Sequence, residues 1–207
     1  MAATKHAQQI KEDSQQYLTT ALLQLLQTHD LNEIKVTDLI KRAGVSRMAF
    51  YRNYQALEDI LRAYFAPQIK AIFDDVIRQV PSEDKLRDMA AFFSDFYADL
   101  ALAATRNYEY IIQQIFTDNM ARYYAQGSEW EDLDATKRRY WVTFMSAGVY
   151  GIWREWLLHG KGESLDDIHI LIGTLQNATV GALKVGAQFT TILEANYPHK
   201  NVPASKD

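Results

Sequence analysis

Val36-Thr37-Asp38-Leu39-Ile40-Lys41-Arg42-Ala43-Gly44-Val45-Ser46-Arg47-Met48-Ala49-Phe50-Tyr51-Arg52-Asn53-Tyr54 is the stretch on which the reading of this chain turns. Its apolar residues recur at helical spacing on either side of a single glycine. The pattern predicts a helix over about Thr37–Ala43, a reversal at Gly44 and a second helix over about Ser46–Tyr54, a helix-turn-helix. Thr37 and Ser46 are the expected caps, since a side-chain oxygen there can accept an exposed backbone N–H. Gly44 stands where a left-handed residue is wanted. Leu39, Ile40 and Ala43 face a core, and the small Ala43 lets the helices cross closely. Val45 fills the turn. Phe50 and Tyr54, four apart, point inward. Arg47, Met48, Tyr51 and Arg52 are left on the outer side.

That outer face has the chemistry of a DNA reader. Arg47 and Arg52 can neutralise phosphates or hydrogen-bond guanine O6 and N7. The Tyr51 hydroxyl, Ser46 and the N–H groups opening the second helix can meet phosphate oxygens. Met48 can touch a thymine methyl. The alternative is an ordinary helical hairpin with solvated charges. Net charge alone favours that alternative, because the 207-residue chain carries −4. The charge is unevenly spread, however. Residues 1–55 hold seven Lys/Arg against five Asp/Glu, a net +2, and residues 56–207 hold 15 against 21, a net −6. Over residues 35–55, Lys35, Lys41, Arg42, Arg47 and Arg52 face only Asp38, a net +4.

Working outward, Gly44 is the only glycine before Gly127, and the periodicity between them is helical. Ile10, Ser14, Tyr17, Leu18, Ala21, Leu22, Leu25 and Leu26 line one face of a first helix. A long helix follows from Leu57 to about Val80, with Pro67 inside it, where the missing N–H and the ring predict a kink. Pro67 is read equally as a hinge or as a static bend. Further helices are expected from about Pro81 to Thr105 and Asn107 to Gln126, with a polar loop opening at Gly127. Tyr140–Trp153 and Ile168–Leu183 hold no charged residue over 14 and 16 positions. They are too short and too polar for membrane spans. Their glycines permit close helix approach, so they are read as a helix–helix interface, with an internal core as the alternative. The tail from Tyr197 is expected to fray.

The 48% hydrophobic and 23% charged composition excludes a disordered chain and an integral membrane protein. Without cysteine there is no disulfide framework or thiolate chemistry, which suits a cytoplasmic location. Lys5, Lys11, Glu12 and Asp13 leave no apolar core for a secretory leader. His6, His29, His159, His169 and His199 have no metal-binding spacing, and no phosphate loop or nucleophile elbow occurs, so neither an enzyme nor a cofactor is expected. Glu58-Asp59 is assigned to the start of the fourth helix, where acidic side chains suit the dipole.

Taken as an ordered set, Thr37-Asp38-Leu39-Ile40, Ala43-Gly44-Val45-Ser46, Phe50-Tyr51-Arg52-Asn53-Tyr54 and Glu58-Asp59-Ile60-Leu61 resemble the N-terminal signature of the tetracycline-repressor (TetR) family of transcriptional regulators. The resemblance implies an all-α fold. A three-helix DNA-binding domain would occupy residues 1–55. A helical effector-binding and dimerisation domain would occupy 56–207, entered by a connecting helix over about 56–80. It implies a homodimeric, ligand-responsive repressor on a pseudo-palindromic operator. A TetR-like activator or co-regulator, working through protein contact with weakened DNA binding, is the alternative. DNA contacts fall on Thr37, Lys41, Arg42, Ser46, Arg47, Met48, Tyr51 and Arg52.

Two positions depart from the family pattern. Leu57 stands where a phosphate-holding lysine is usual, and Ala49 where threonine is frequent. An aromatic or amphipathic effector is expected, lined by Phe93, Tyr97, Tyr108, Phe116, Tyr123, Tyr140 and Phe144. These come from a wider aromatic set that includes Phe92, Phe96, Tyr110, Tyr124 and Trp141, most of it core. The dimer interface is expected at Trp141, Met145, Gly148, Ile152, Ile172, Leu175, Thr179 and Leu183. Arg154 and Glu155 are read either as an ion pair at the dimer edge or as solvated charges at a helix end.

Overall fold

A computed structural model describes residues 2–77, 95–126, 133–160 and 162–184. All regular structure among them is helical. The elements are α1 (Ala2–Leu26), a 3-10 turn (Leu31–Glu33), α2 (Val36–Ala43), α3 (Arg47–Asn53), α4 (Leu57–Ile77), α5 (95–105), α6 (Glu109–Gln126), α7 (Ala135–Leu158) and α8 (Leu165–Lys184). No helix among the described residues is long and apolar enough to cross a membrane. The expected helix start at Pro81, the loop at Gly127 and the tail from Tyr197 lie outside the described residues.

Leu18, Ala21, Leu22 and Leu26 of α1 close over Leu39 of α2, Phe50 and Tyr54 around α3, and Leu57, Ile60 and Leu61 of α4. Only the C-terminal half of the predicted α1 face is buried. Ile10 and Tyr17 are exposed.

The turn between α2 and α3 has the expected chemistry. Gly44 sits at φ 67°, ψ 25°, and its N–H closes on the Ile40 carbonyl. Ser46 caps α3, its Oγ accepting from the Ala49 N–H at 3.1 Å. Thr37 does not cap α2. The helix begins one residue earlier, and the extended Lys35 supplies its carbonyl to the N–H groups of Asp38 (3.0 Å) and Leu39 (3.1 Å). Thr37 therefore lies within the first turn with its side chain exposed.

α4 opens on Asp59, whose carboxylate accepts the N–H groups of Gln55 at 2.8 Å and Ala56 at 2.9 Å. The helix runs through Pro67 to Ile77. Ala63 and Pro67 are both exposed, so the carbonyl that the ring leaves unpaired one turn back can reach water. α6 lies against α4. Phe65 stacks on Tyr108 with centroids 6.3 Å apart, Phe73 meets Phe116 edge-on at 5.1 Å, and Arg122 pairs with Asp74 at 2.8 Å.

The loop from α5 to α6 grips the end of α1. Arg106 donates from Nη2 to the Gln27 carbonyl (2.9 Å) and lies 3.5 Å from Asp30. Its own carbonyl accepts the Leu31 N–H at 3.0 Å. Asn107 donates to Asp30 at 2.6 Å. Asn107 is the one described non-glycine residue at positive φ, 60°, which asparagine tolerates better than most. This reversal delays α6 to Glu109, two residues past the expected start.

The two uncharged segments behave differently. α7 buries eight residues, among them Trp141, Met145, Tyr150 and Trp153. α8 buries only Ile168 and Val180, while Ile170, Leu171 and Leu175 remain exposed.

Candidate nucleic-acid interface and effector cavity

Short helices leave little choice of face. With Leu39 and Phe50 fully buried, the polar residues of α2 and α3 must turn outward. Thr37, Lys41, Arg42, Ser46, Arg47, Met48, Tyr51 and Arg52 are all exposed. Met48 at 73% and Tyr51 at 51% are unusually open for large apolar or aromatic side chains. The Arg47 guanidinium lies 5.7 Å from the centre of the Tyr51 ring, and Phe50 supports that ring edge-on at 5.0 Å. A cation over an aromatic face is held in place yet keeps its N–H donors for a second partner. Arg42 is steadied by its Nε bond to Gln24 of α1 at 2.9 Å. Ser46 spends an oxygen lone pair on capping and retains its O–H as a donor. Leu57 is buried in the core rather than set on this face. A packing residue thus stands where the tetracycline-repressor pattern usually has a lysine. Ala49 is half-buried, and its carbonyl accepts from Asn53 at 2.8 Å.

A cavity of about 370 Å³ lies among α4, α6, α7 and α8. Ile72, Phe73, Phe116, Met120, Val149 and Trp153 form its apolar side. Tyr123, Tyr124, His169, Gln176 and Asn177 form the polar side, with Gly173 between them. Burial holds the Tyr124 phenol well above its ordinary value, so it remains a neutral donor; its Oη lies 3.4 Å from Gln176 Oε1. A smaller annex of about 30 Å³ shares Ile72, Phe73, Phe116 and Trp153 with the main cavity.

Of the seven residues expected to line an effector site, Phe116 and Tyr123 do line this cavity. Tyr108 is fully buried beneath Phe65, in the core rather than on a cavity wall. Tyr97 is exposed. Tyr140 and Phe144, 64% and 62% exposed, flank an apolar surface groove of about 450 Å³ with Thr179 and Leu183. Phe93 lies outside the described residues. Sequence reading missed the α8 contribution. Its signal was present, because His169, Gly173, Gln176 and Asn177 stand at i, i+4, i+7 and i+8 and so share one helical face.

The residues expected at a dimer interface also divide. Trp141 and Met145 point into the chain's own core, and Trp141 donates from Nε1 to Thr179 at 3.0 Å. Gly148 and Leu175 are exposed, and Ile152, Thr179 and Leu183 are half-buried, whereas Ile172, also half-buried, lines the cavity. Arg154 pairs with neither alternative partner. It forks onto Glu109 of α6 at 2.5 and 3.1 Å, and Tyr150 donates to the same carboxylate at 2.8 Å. Burial alone would raise the Glu109 carboxyl, but the Arg154 and Tyr150 bonds outweigh it and hold it below its usual range. Glu155 instead faces His159 at 3.3 Å.

A helix-turn-helix with an open basic second helix is thus joined through α4 to a helical body with its own cavity. No family model matches the chain. It is similar to the HTH-type transcriptional regulator EthR of Mycolicibacterium smegmatis, 31% identical over 98 residues. That match covers 44% of this chain and 45% of the length of that protein. It supports the resemblance to the tetracycline-repressor family, and the protein it points to is a regulator rather than an enzyme.

Proposed function

We propose that the protein is a ligand-responsive transcriptional repressor of the tetracycline-repressor type, binding a pseudo-palindromic DNA operator as a homodimer. Residues 1–55 read DNA, and residues 56–207 sense the effector and dimerise. The observation that carries this reading is the shared exposure of Arg47, Met48, Tyr51 and Arg52 on a helix anchored by Phe50. α3 would enter the major groove with Arg47 and Arg52 toward bases or backbone. Thr37, Lys41, Arg42, Ser46 and Tyr51 would meet phosphates.

The cavity is the proposed effector site. Its α4 wall, Ile72 and Phe73, belongs to the same helix that buries Leu57, Ile60 and Leu61 against α1. A ligand that displaces that wall would tilt the N-terminal helices, and the Arg106–Asn107 grip on α1 offers a second route for the same movement. The open apolar outer face of α7 and α8, with Phe144 and Leu175, is the proposed dimer surface. Symmetric pairing there would set the distance between two recognition helices.

The test is an anisotropy titration of the protein against labelled duplexes tiling its own upstream region, at several salt concentrations. A saturable complex on one duplex, weakening steeply with salt through counterion release, is expected. Equal binding to every duplex, or none at low salt, would favour the protein-contact alternative.

A further inference from the structure

We infer that Tyr51 is a positioning residue for base recognition: its ring holds the Arg47 guanidinium toward a base edge, and the base selected is guanine. The inference deepens the reading of α3 as the DNA-reading helix and rests on it.

An exposed arginine ordinarily samples many rotamers, and ordering it on a partner costs affinity. Arg47 is the first residue of α3, and that start is fixed by the Ser46 cap, whose Oγ accepts the Ala49 N–H at 3.1 Å. The Arg47 guanidinium carbon lies 5.7 Å from the centre of the Tyr51 ring, one helical turn on. That ring is itself placed. Phe50, fully buried in the core, meets it edge-on at 5.0 Å with an interplanar angle of 83°. A line of contact thus runs from the core through Phe50 and Tyr51 to Arg47. Arg42 is held in another way, by spending its Nε on Gln24 at 2.9 Å.

The two ways of holding an arginine leave different chemistry. A hydrogen bond consumes a donor. A ring face consumes none, so Arg47 keeps five N–H groups in one plane. That planar fork matches the paired O6 and N7 acceptors of guanine, and the first residues of a recognition helix are those that meet base edges. Adenine sets a donor at N6 beside its N7 acceptor, which would face the fork with like against like. The same tyrosine can still reach a phosphate, because its hydroxyl leaves from the ring edge while the ring face is given to Arg47.

The test uses the full chain and the duplex selected from the upstream region, with each base pair substituted in turn and affinity read by anisotropy. Arg47→Ala identifies the pair that Arg47 reads, the one at which this variant no longer discriminates, and that pair should be G·C. At that pair Tyr51→Leu should lose about two- to fivefold of the parent's discrimination, the worth of an exposed cation–π contact. Its discrimination at every other pair should be intact. Tyr51→Phe keeps the ring and should keep the discrimination, although both variants bind all duplexes more weakly for want of the hydroxyl. In the Arg47→Ala background, Tyr51→Leu should change discrimination at no pair. Discrimination is a ratio of affinities, so any loss of folded protein cancels from it.

The inference is overturned if Tyr51→Leu discriminates like the parent at that pair, if Tyr51→Phe loses as much as Tyr51→Leu, or if Arg47→Ala releases an A·T pair or none. A parent without preference among duplexes would overturn the reading of α3 itself, and this inference with it. A selective parent beside an unmoved Tyr51→Leu would overturn the inference alone.

Discussion

Replacing Arg106 with alanine isolates the grip of the α5–α6 loop on the end of α1. The side chain makes one charge-assisted bond to the Gln27 carbonyl at 2.9 Å and a looser 3.5 Å pairing with Asp30. A hydrogen bond from a charged donor is worth about 1.5–3 kcal/mol when shielded. Here the two side chains are 31% and 29% exposed, so solvent screens both terms, and the ion pair adds at most a few tenths. Arg106 Nε is buried without a partner, so truncation also removes a small unfavourable feature. The net expectation is a loss of about 1 kcal/mol. The backbone bond from Leu31 to the Arg106 carbonyl survives the substitution, so the fold should persist. Urea denaturation followed by circular dichroism measures the loss. A cycle with Asp30→Ala should show a coupling of about 0.5 kcal/mol. Arg106→Ala within about 0.3 kcal/mol of the parent, with strictly additive effects in the cycle, would refute the grip as an energetic joint.

Gly44→Ala should cost about 1 kcal/mol in the same assay, because φ is 67° while the added Cβ meets no atom within 4 Å. A neutral outcome would mean that the turn relaxes. The Glu109 carboxyl is held below its ordinary range by Arg154 and Tyr150, so its stabilisation is present at neutral pH and disappears as pH falls through the lowered value. Glu109→Gln should therefore lower Tm at neutral pH and flatten its fall on acidification; an unchanged slope would contradict this. Phe144→Asp, alone or with Leu175→Asp, should give monomers by light scattering, and a persistent dimer would move the interface off α7 and α8.

The helix-turn-helix was legible because it is local. Gly44, Ser46, Phe50 and Tyr54 are each decided within a few residues, by a left-handed turn, a cap and a four-residue spacing. Thr37 was misassigned because the backbone of Lys35 can start the helix without a side-chain cap. The cavity was only half legible. Aromatic content marks a residue as apolar, but it cannot say whether Tyr108 stacks under Phe65 or lines a void, since that depends on where α4 and α6 meet. Tyr140 and Phe144 look like core in sequence and prove to be surface, because nothing among the described residues covers that side of α7. The Arg106–Asp30 and Arg154–Glu109 contacts join residues 76 and 45 positions apart, and no short-range pattern announces them.

The central claim is that the exposed face of α3 reads DNA. Its most direct test is the affinity of Arg47→Ala and Tyr51→Phe for the duplex selected from the upstream region, beside Lys70→Ala on α4 as a control. The account predicts that the first two each lose about 1–3 kcal/mol of binding with Tm unchanged, and that the control binds like the parent. Equal affinity in all three variants would contradict it.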